Sequence, residues 1–398
     1  MPETFLHGVE VIEVDSGTRP IRTVRSGVIG IVGTAPDADA AAFPLNTPVL
    51  IAGSRTEAAK LDTTGDGLGT LPKALDGIFD QIGAVVIVVR VEVGADDAET
   101  LANVVGGVSS INGQYEGVHA LLGAESVVGF APRILCAPGW THQRPGETPG
   151  ANPVVSELVG IAERLRAVIV ADGPNTTDAA AIAAAGDFGS PRVYLVDPWV
   201  TVLNSAGAIV SEPPSARVAG LIAKIDNDRG FWWSPSNQNL NGITGTTRPV
   251  DFKLGDANCR ANLLNEANVA TIVRQNGYRL WGNRTLSADP KWAFLSVRRT
   301  ADMLNDSLQR AHLWAVDRNI TKTFLTDVAE GVNGYIRSLI AQGALLGGRC
   351  WPDPDLNTAQ NVAQGKCFFN FDFTAPYPAE HITFNSILTT DYIEEALS

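Results

Sequence analysis

Gly65-Asp66-Gly67-Leu68-Gly69 is a stretch that could cradle a phosphate. A dinucleotide fingerprint also needs a preceding strand, a third glycine at the right offset and an acidic residue about twenty positions on. Thr56–Asp62, just before it, is polar and helix-like, so the stretch reads as a flexible turn. Asp62-x-Thr64-x-Asp66-Gly67 opens like a calcium loop, but its twelfth position is Lys73, where the ion requires a bidentate glutamate. His7, His119, His142, His312 and His381 show no metal-ligand spacing, and His312 reads as a packing residue. Cys136, Cys259, Cys350 and Cys367 form no C-x-x-C pair and read as free thiols. No G-x-S-x-G elbow occurs. Asp226, Asp228 and Arg229 could mimic an acid–base cluster but read as an ion pair that fixes a loop. Trp232-Trp233 could form a ligand platform, yet adjacent strand residues face opposite ways. No metal, cofactor or catalytic constellation is expected.

The elements that would have to position such chemistry suggest construction instead. The 398 residues exceed one ordinary core, and two or three domains are expected. A hydrophobic fraction of 45% with 18% charged residues describes a globular chain. The formal net charge of −13, with no basic run, argues against a nucleic-acid groove. The apolar run Ala84–Val89 is far shorter than a membrane helix needs, and no secretory leader is read at the N-terminus, so neither membrane insertion nor export is expected. Synthesis and assembly are expected in the cytoplasm.

Buried strands are predicted at 28–33, 48–51 and 84–93, with a helix at 70–81 between the last two. Residues 95–130 read as a small, variable excursion. A second α/β unit follows, with strands at 133–137, 167–171 and 192–196 and helices at 151–165, 177–186 and 215–226. Helical periodicity returns at 292–319, with an Asp306–Arg310 surface pair, and at 325–346, stopping near Gly347-Gly348. Residues 366–373 alternate strictly, with Cys367, Phe369, Phe371 and Phe373 on one face. The predicted class is mixed α/β. A discontinuous inner domain (25–110 and 246–375) carries an inserted open-sheet α/β domain (111–245). Extended strand arms lie at 1–24 and 376–398.

Three motifs carry more information than any single site. They are Arg229-Gly230-Phe231-Trp232-Trp233-Ser234-Pro235-Ser236-Asn237, then Gly277-Tyr278-Arg279-Leu280-Trp281-Gly282-Asn283-Arg284-Thr285-Leu286, then Val297-Arg298-Arg299. Tryptophan and arginine among glycines and asparagines mark a rigid, heavily hydrogen-bonded surface. Arg229, Trp232, Trp233, Trp281, Arg284 and Arg298 are therefore expected to brace the structure. In order and spacing these motifs resemble the contractile tail sheath proteins of myophages and R-type bacteriocins, in particular the P2-like branch. The similarity extends to Phe5–Val11 and to Pro378–Phe384.

The resemblance implies a non-enzymatic subunit that polymerises helically around an inner tube, in stacked, hexameric rings, and contracts to drive the tube through an envelope. Its implied partners are further copies of itself, the tube protein, and baseplate and tail terminator proteins. Each terminus carries a short alternating strand, with Val9, Val11, Ile12 and Val14 at one end and Ile382 and Phe384 at the other. Gly17, Pro20, Pro376 and Pro378 separate these strands from the core as hinges. A strand cut off by a linker can find its backbone partners on a neighbour. By position, the resemblance makes Lys322, Arg337 and Arg349 candidates for facing the tube, with Arg298 and Arg299 the alternative. Two rivals stand: a type VI secretion sheath component, whose family divides the sheath between two chains, and an α/β nucleotide-dependent enzyme.

Overall fold

The computed structural model describes residues 21–146, 149–204 and 206–397. Val9, Val11, Ile12, Val14, Gly17 and Pro20 lie outside the described residues.

Strands rich in β-branched residues form the centre. They are β1 (Val28–Thr34), β2 (Pro48–Ala52), β3 (Val85–Val91), β4 (Ile134–Cys136), β5 (Val168–Asp172) and β6 (Val193–Val196). Helix α1 (Leu71–Phe79) follows β2, α2 (Pro153–Leu165) precedes β5, α3 (Asp178–Ala185) precedes β6, and α4 (Ser215–Asp228) comes later. Capping explains where α2 starts: the Asn152 side chain accepts the Val155 N–H, and Pro153 occupies the first turn. The six strands form one sheet in the order β2-β3-β1-β4-β5-β6, parallel except for β2 against β3.

That topology corrects the expected division of the sheet. The strands assigned to the inner domain and those assigned to the inserted domain share it, because β1 pairs with both β3 and β4. Both faces of β1 are buried, so no solvent boundary runs between the two sets. Ile29, Ile31, Val86 and Val170 pack on α1 and α4 across one face. Val28, Val32, Ile87 and Ile169 pack on α2 and α3 across the other. Helices α1 and α4 approach closely at Gly220, where a Cβ would lie 2.9 Å from the backbone of Ile78.

The variable excursion is also more ordered than expected. It forms a helix at Asp97–Val105 and a two-stranded hairpin, and it buries Val104, Val118 and Leu121 in the core. Its glycines hid this, since Gly106, Gly113 and Gly117 serve turns with positive φ.

The rest of the chain forms β7 (Thr271–Arg274) and β8 (Tyr278–Trp281), then α5 (Leu295–Ala311) and α6 (Lys322–Ala341), then β9 (Gly347–Pro352) and β10 (Phe369–Thr374). A third core joins Met303 and Leu304 of α5 to Val332, Ile336 and Leu339 of α6, with Phe369, Phe371 and Phe373 packed against it. The β10 alternation was legible. Its partner β9 was missed, because Gly347-Gly348 read as the stop of the preceding helix. Residues 381–388, predicted as a strand, have no regular structure.

Candidate functional site

The tryptophan- and arginine-rich stretch ties the α/β body to α5. Arg299 donates twice to Asp226 at the end of α4, at 2.6 and 2.5 Å, and both side chains are about 3% exposed. The loop-fixing pair is therefore Asp226–Arg299. Arg229 instead lies over the Trp233 ring at 5.1 Å. Trp232 packs on the third core and Trp233 is exposed, an opposition that arises in a turn and not in a strand. Trp281 meets Phe252 edge-on at 4.7 Å. Arg298 donates to Asp302 and lies 4.2 Å from the Trp292 centroid.

Helix α5 carries further buried charge. Asp302 also accepts from Arg192, and Asp306 pairs with Arg133 as well as Arg310. The Asp306–Arg310 pair is thus half a core contact, not a surface one. Breaking one partner of such a pair strands a buried charge, so these contacts dictate one orientation of α5 on the sheet.

The crevice favoured by ligands in open α/β sheets, at the carboxyl ends of β1 and β4, holds about 220 Å³ and is lined by Thr70, Lys73, Gly139 and Arg217. Arg217 already pairs with Asp80 and Glu212. Deeper in, Asp172 accepts from Gly139 and Ser215 backbone N–H groups and from the Thr141 and Ser215 hydroxyls. It caps α4, and burial pushes its carboxyl up to about 6 against those four donors. Burial likewise raises Asp197 to about 6, opposed by Arg248. Among the described residues, no group of His, Cys, Asp and Glu could hold a metal, and no helix is long and apolar enough to cross a membrane.

The C-terminal unit offers a different kind of site. Ile21 and Val24 pack on its core, and Thr23 Oγ1 lies 2.8 Å from the Tyr335 hydroxyl, so the N-terminal segment meets α5 and α6. At the other end Ala375 is buried, and Tyr377, between Pro376 and Pro378, meets Phe294 edge-on at 5.9 Å. Arg284 then grips Glu380 at 2.7 and 2.5 Å while lying over the Phe294 ring. Beyond this anchor Ile382 is 67% and Phe384 91% exposed. Sequence reasoning placed Arg284 among core braces and missed its arm partner, because nothing marks a contact 96 residues away.

Lys322, Arg337 and Arg349 are all exposed. Arg337 lies 3.7 Å from Glu330, and Arg349 lies 3.4 Å from Asp372 and over Trp351. Helix α6 carries Lys322 and Arg337 against Asp327 and Glu330, so it is neutral, not basic. Arg298 and Arg299 are engaged within the chain, which leaves them little to offer a partner.

The arrangement is that of a building block: charge-locked elements holding an exposed apolar arm, with the arginine of the crevice already engaged by Asp80 and Glu212. Comparison with known proteins gives this a family. A model described as phage tail sheath protein central domain matches residues 113–286, one for the phage tail sheath C-terminal domain matches 287–389, and one for the tail sheath protein Gp18 domain III N-terminal region matches 26–91. The chain is 45% identical to a putative prophage major tail sheath protein of Pseudomonas aeruginosa (strain UCBPP-PA14), over 99% of each chain. It is 37% identical to the tail sheath protein of Escherichia phage P2, over 98% of this chain and 97% of that one. Its fold matches the helical sheath of the anti-feeding prophage in its contracted state, with a TM-score of 0.70 at 23% identity, over 98% of this chain and 100% of that one. It also matches the sheath of an extracellular contractile injection system (TM-score 0.67, 19% identity), over 99% of this chain and 100% of that one. The chain belongs to the phage tail sheath protein family. It is a non-enzymatic sheath subunit of a contractile tail or phage-tail-like particle.

Proposed function

We propose that this subunit polymerises into a helical homopolymer around an inner tube, and that each copy is stitched to its neighbours by exchanged terminal strands. The observation that carries this reading is the C-terminal arm. Arg284 and Phe294 hold its base, while the alternating residues Ile382 and Phe384 stand exposed and pair with no strand among the described residues. A second copy supplies the missing partners by β-augmentation. Repeating a head-to-tail contact that does not close gives a helix.

In this reading contraction is a rigid-body change between two sets of interfaces, released from a metastable extended state. The arms keep their pairing while the residues around Pro376 and Pro378, and Gly17 and Pro20 at the other end, bend. Rings of subunits, hexameric by family resemblance, stack between a baseplate and a terminator. Tube contact falls to exposed charges on or beside α6, namely Lys322, Arg337 and Arg349. It has to be weak enough to break, which suits a polar surface. The baseplate association is supported by the likeness to chains in the anti-feeding prophage baseplate. A single chain carrying both arms favours a phage-type sheath over a two-chain secretion sheath.

Negative-stain microscopy of the purified protein tests this directly. Long hollow cylinders are expected, and monodisperse monomers under every assembly condition would overturn the reading.

A further inference from the structure

Four asparagines of this chain precede a glycine: Asn112, Asn241, Asn276 and Asn333. Such a pair can react without an enzyme. The glycine nitrogen loses its proton to solvent base and attacks the asparagine Cγ. A carbon–nitrogen bond forms, ammonia leaves, and a five-membered imide closes. Water then opens the ring to aspartate or, through the other carbonyl, to isoaspartate, whose backbone is one methylene longer. The local chemistry is shared by all four pairs, so the fold decides which of them reacts.

Three are held. Asn333 lies inside α6, where the Gly334 N–H belongs to the helix ladder. Its side chain accepts the Cys350 N–H at 2.7 Å and donates to the Cys350 carbonyl at 3.0 Å. Asn241 donates its N–H to Gln81 Oε1 at 3.0 Å, and its carbonyl accepts from Gln81 and Arg217 at 2.9 and 3.2 Å. Its side-chain amide donates to the Asp80 carbonyl at 3.3 Å. The Asp80 carboxylate also stands against Gly242, where an added Cβ would collide with it, and a negative group there opposes the anion formed in ring closure. Asn112 lies in an exposed turn, yet the Gly113 N–H donates to the Ser109 carbonyl at 2.9 Å and Asn112 Oδ1 accepts the Gln114 N–H at 2.9 Å. Both of its reacting groups are thereby engaged.

Asn276 differs. It and Gly277 are exposed in the short loop between β7 and β8. Among the described residues, neither the Asn276 side chain nor the Gly277 N–H has a hydrogen-bond partner. The bonds of the loop fall on other groups: the Gln275 N–H donates to the Gly277 carbonyl at 2.9 Å, and Arg279 Nε donates to the Gln275 carbonyl at 2.8 Å. The Arg279 guanidinium thus lies beside the loop, and a cation there favours the anionic nitrogen and the oxyanion of ring closure.

We propose that Asn276 is a modification site, deamidated without an enzyme to aspartate and isoaspartate, and that the fold shields the other three asparagines. Conversion adds a carboxylate to the β7–β8 hairpin, and the iso form lengthens the backbone of its turn. This chemistry depends on neither assembly nor contraction.

Peptide mapping by mass spectrometry tests it, with the purified full chain held in mildly alkaline buffer and sampled over time. Breaking one hydrogen bond of ordinary net worth slows such a step by roughly tenfold, so the Asn276 peptide is expected to acquire the acid mass about ten times faster than those of Asn112, Asn241 and Asn333. In urea the four are expected to convert at similar rates. Conversion of any of the other three as fast as Asn276 in the folded chain would overturn the proposal. So would an Asn276 that stays intact when folded but converts in urea, or the same preference for Asn276 in urea, which would put the ranking in the local sequence and not in the fold.

Discussion

Arg284 and Glu380 are 96 residues apart in sequence, yet they meet through two hydrogen bonds of 2.7 and 2.5 Å on the surface of the α/β body. The pair joins the most recognisable motif of the chain to its plainest segment. Both side chains are about 40% exposed, so solvent screens them and their direct contribution to stability is small, about 1 kcal/mol or less. Their effect lies in direction, because they set where the C-terminal arm leaves the body.

Arg284→Ala is therefore expected to leave the thermal unfolding midpoint within a few degrees of the parent while reducing the length and regularity of cylinders seen by negative stain. Equal cylinders from both proteins would show that the anchor does not aim the arm.

Arg299→Met is expected to behave in the opposite way. It leaves the Asp226 carboxylate buried without its partner, at a cost of about 3–5 kcal/mol in urea unfolding. Replacing both partners, Asp226→Leu with Arg299→Met, is expected to recover most of that loss. A double variant as unstable as the single one would mean that packing, and not the stranded charge, sets the cost.

Asp172 gives a pH signature. Its folded-state carboxyl is raised to about 6, above an ordinary value of roughly 4. A raised carboxyl favours the folded state fully below the unfolded value, and that contribution is lost as pH rises through about 4 to 6. The parent thus loses stability from this group between pH 5 and pH 7.5, and Asp172→Asn does not. The variant's deficit relative to the parent is expected to be larger at pH 5 than at pH 7.5, by roughly 1 kcal/mol. Urea titrations at the two values measure it, and a deficit that grows with pH would contradict the shift.

Charge reversal separates the candidate tube contacts. Arg337→Glu with Arg349→Glu changes exposed side chains and is expected to lower co-sedimentation of sheath with tube while leaving unfolding unchanged. Arg298→Glu removes the bonds to Asp302 and the stacking on Trp292, and is expected to lower stability instead. Intact co-assembly in the first variant and its loss in a stable Arg298→Glu protein would reverse the assignment.

Much of this was legible in residue order. Runs such as Val28–Val32 and Val85–Val89 announced buried strands, and the phenylalanine alternation announced β10, because a half-buried strand repeats every two residues. What was not legible depended on distance. Nothing local shows that β1 lies between β3 and β4, so one sheet read as two units. Removing 111–245 would take three strands out of a continuous sheet, not detach an outer module. The arginine motifs marked a braced region, but their partners Asp226, Asp302 and Glu380 became identifiable only in three dimensions. Residues 381–388 read as a strand from pattern alone, and they pair with no strand among the described residues.

The central claim is that this arm links one copy to the next, and truncation tests it most directly. A chain ending at Glu380 keeps Arg284 paired and the body intact, so it is expected to unfold at the parent's temperature and to remain dispersed in electron micrographs where the full chain forms hollow cylinders. Cylinders of parental length from the truncated chain would contradict the account.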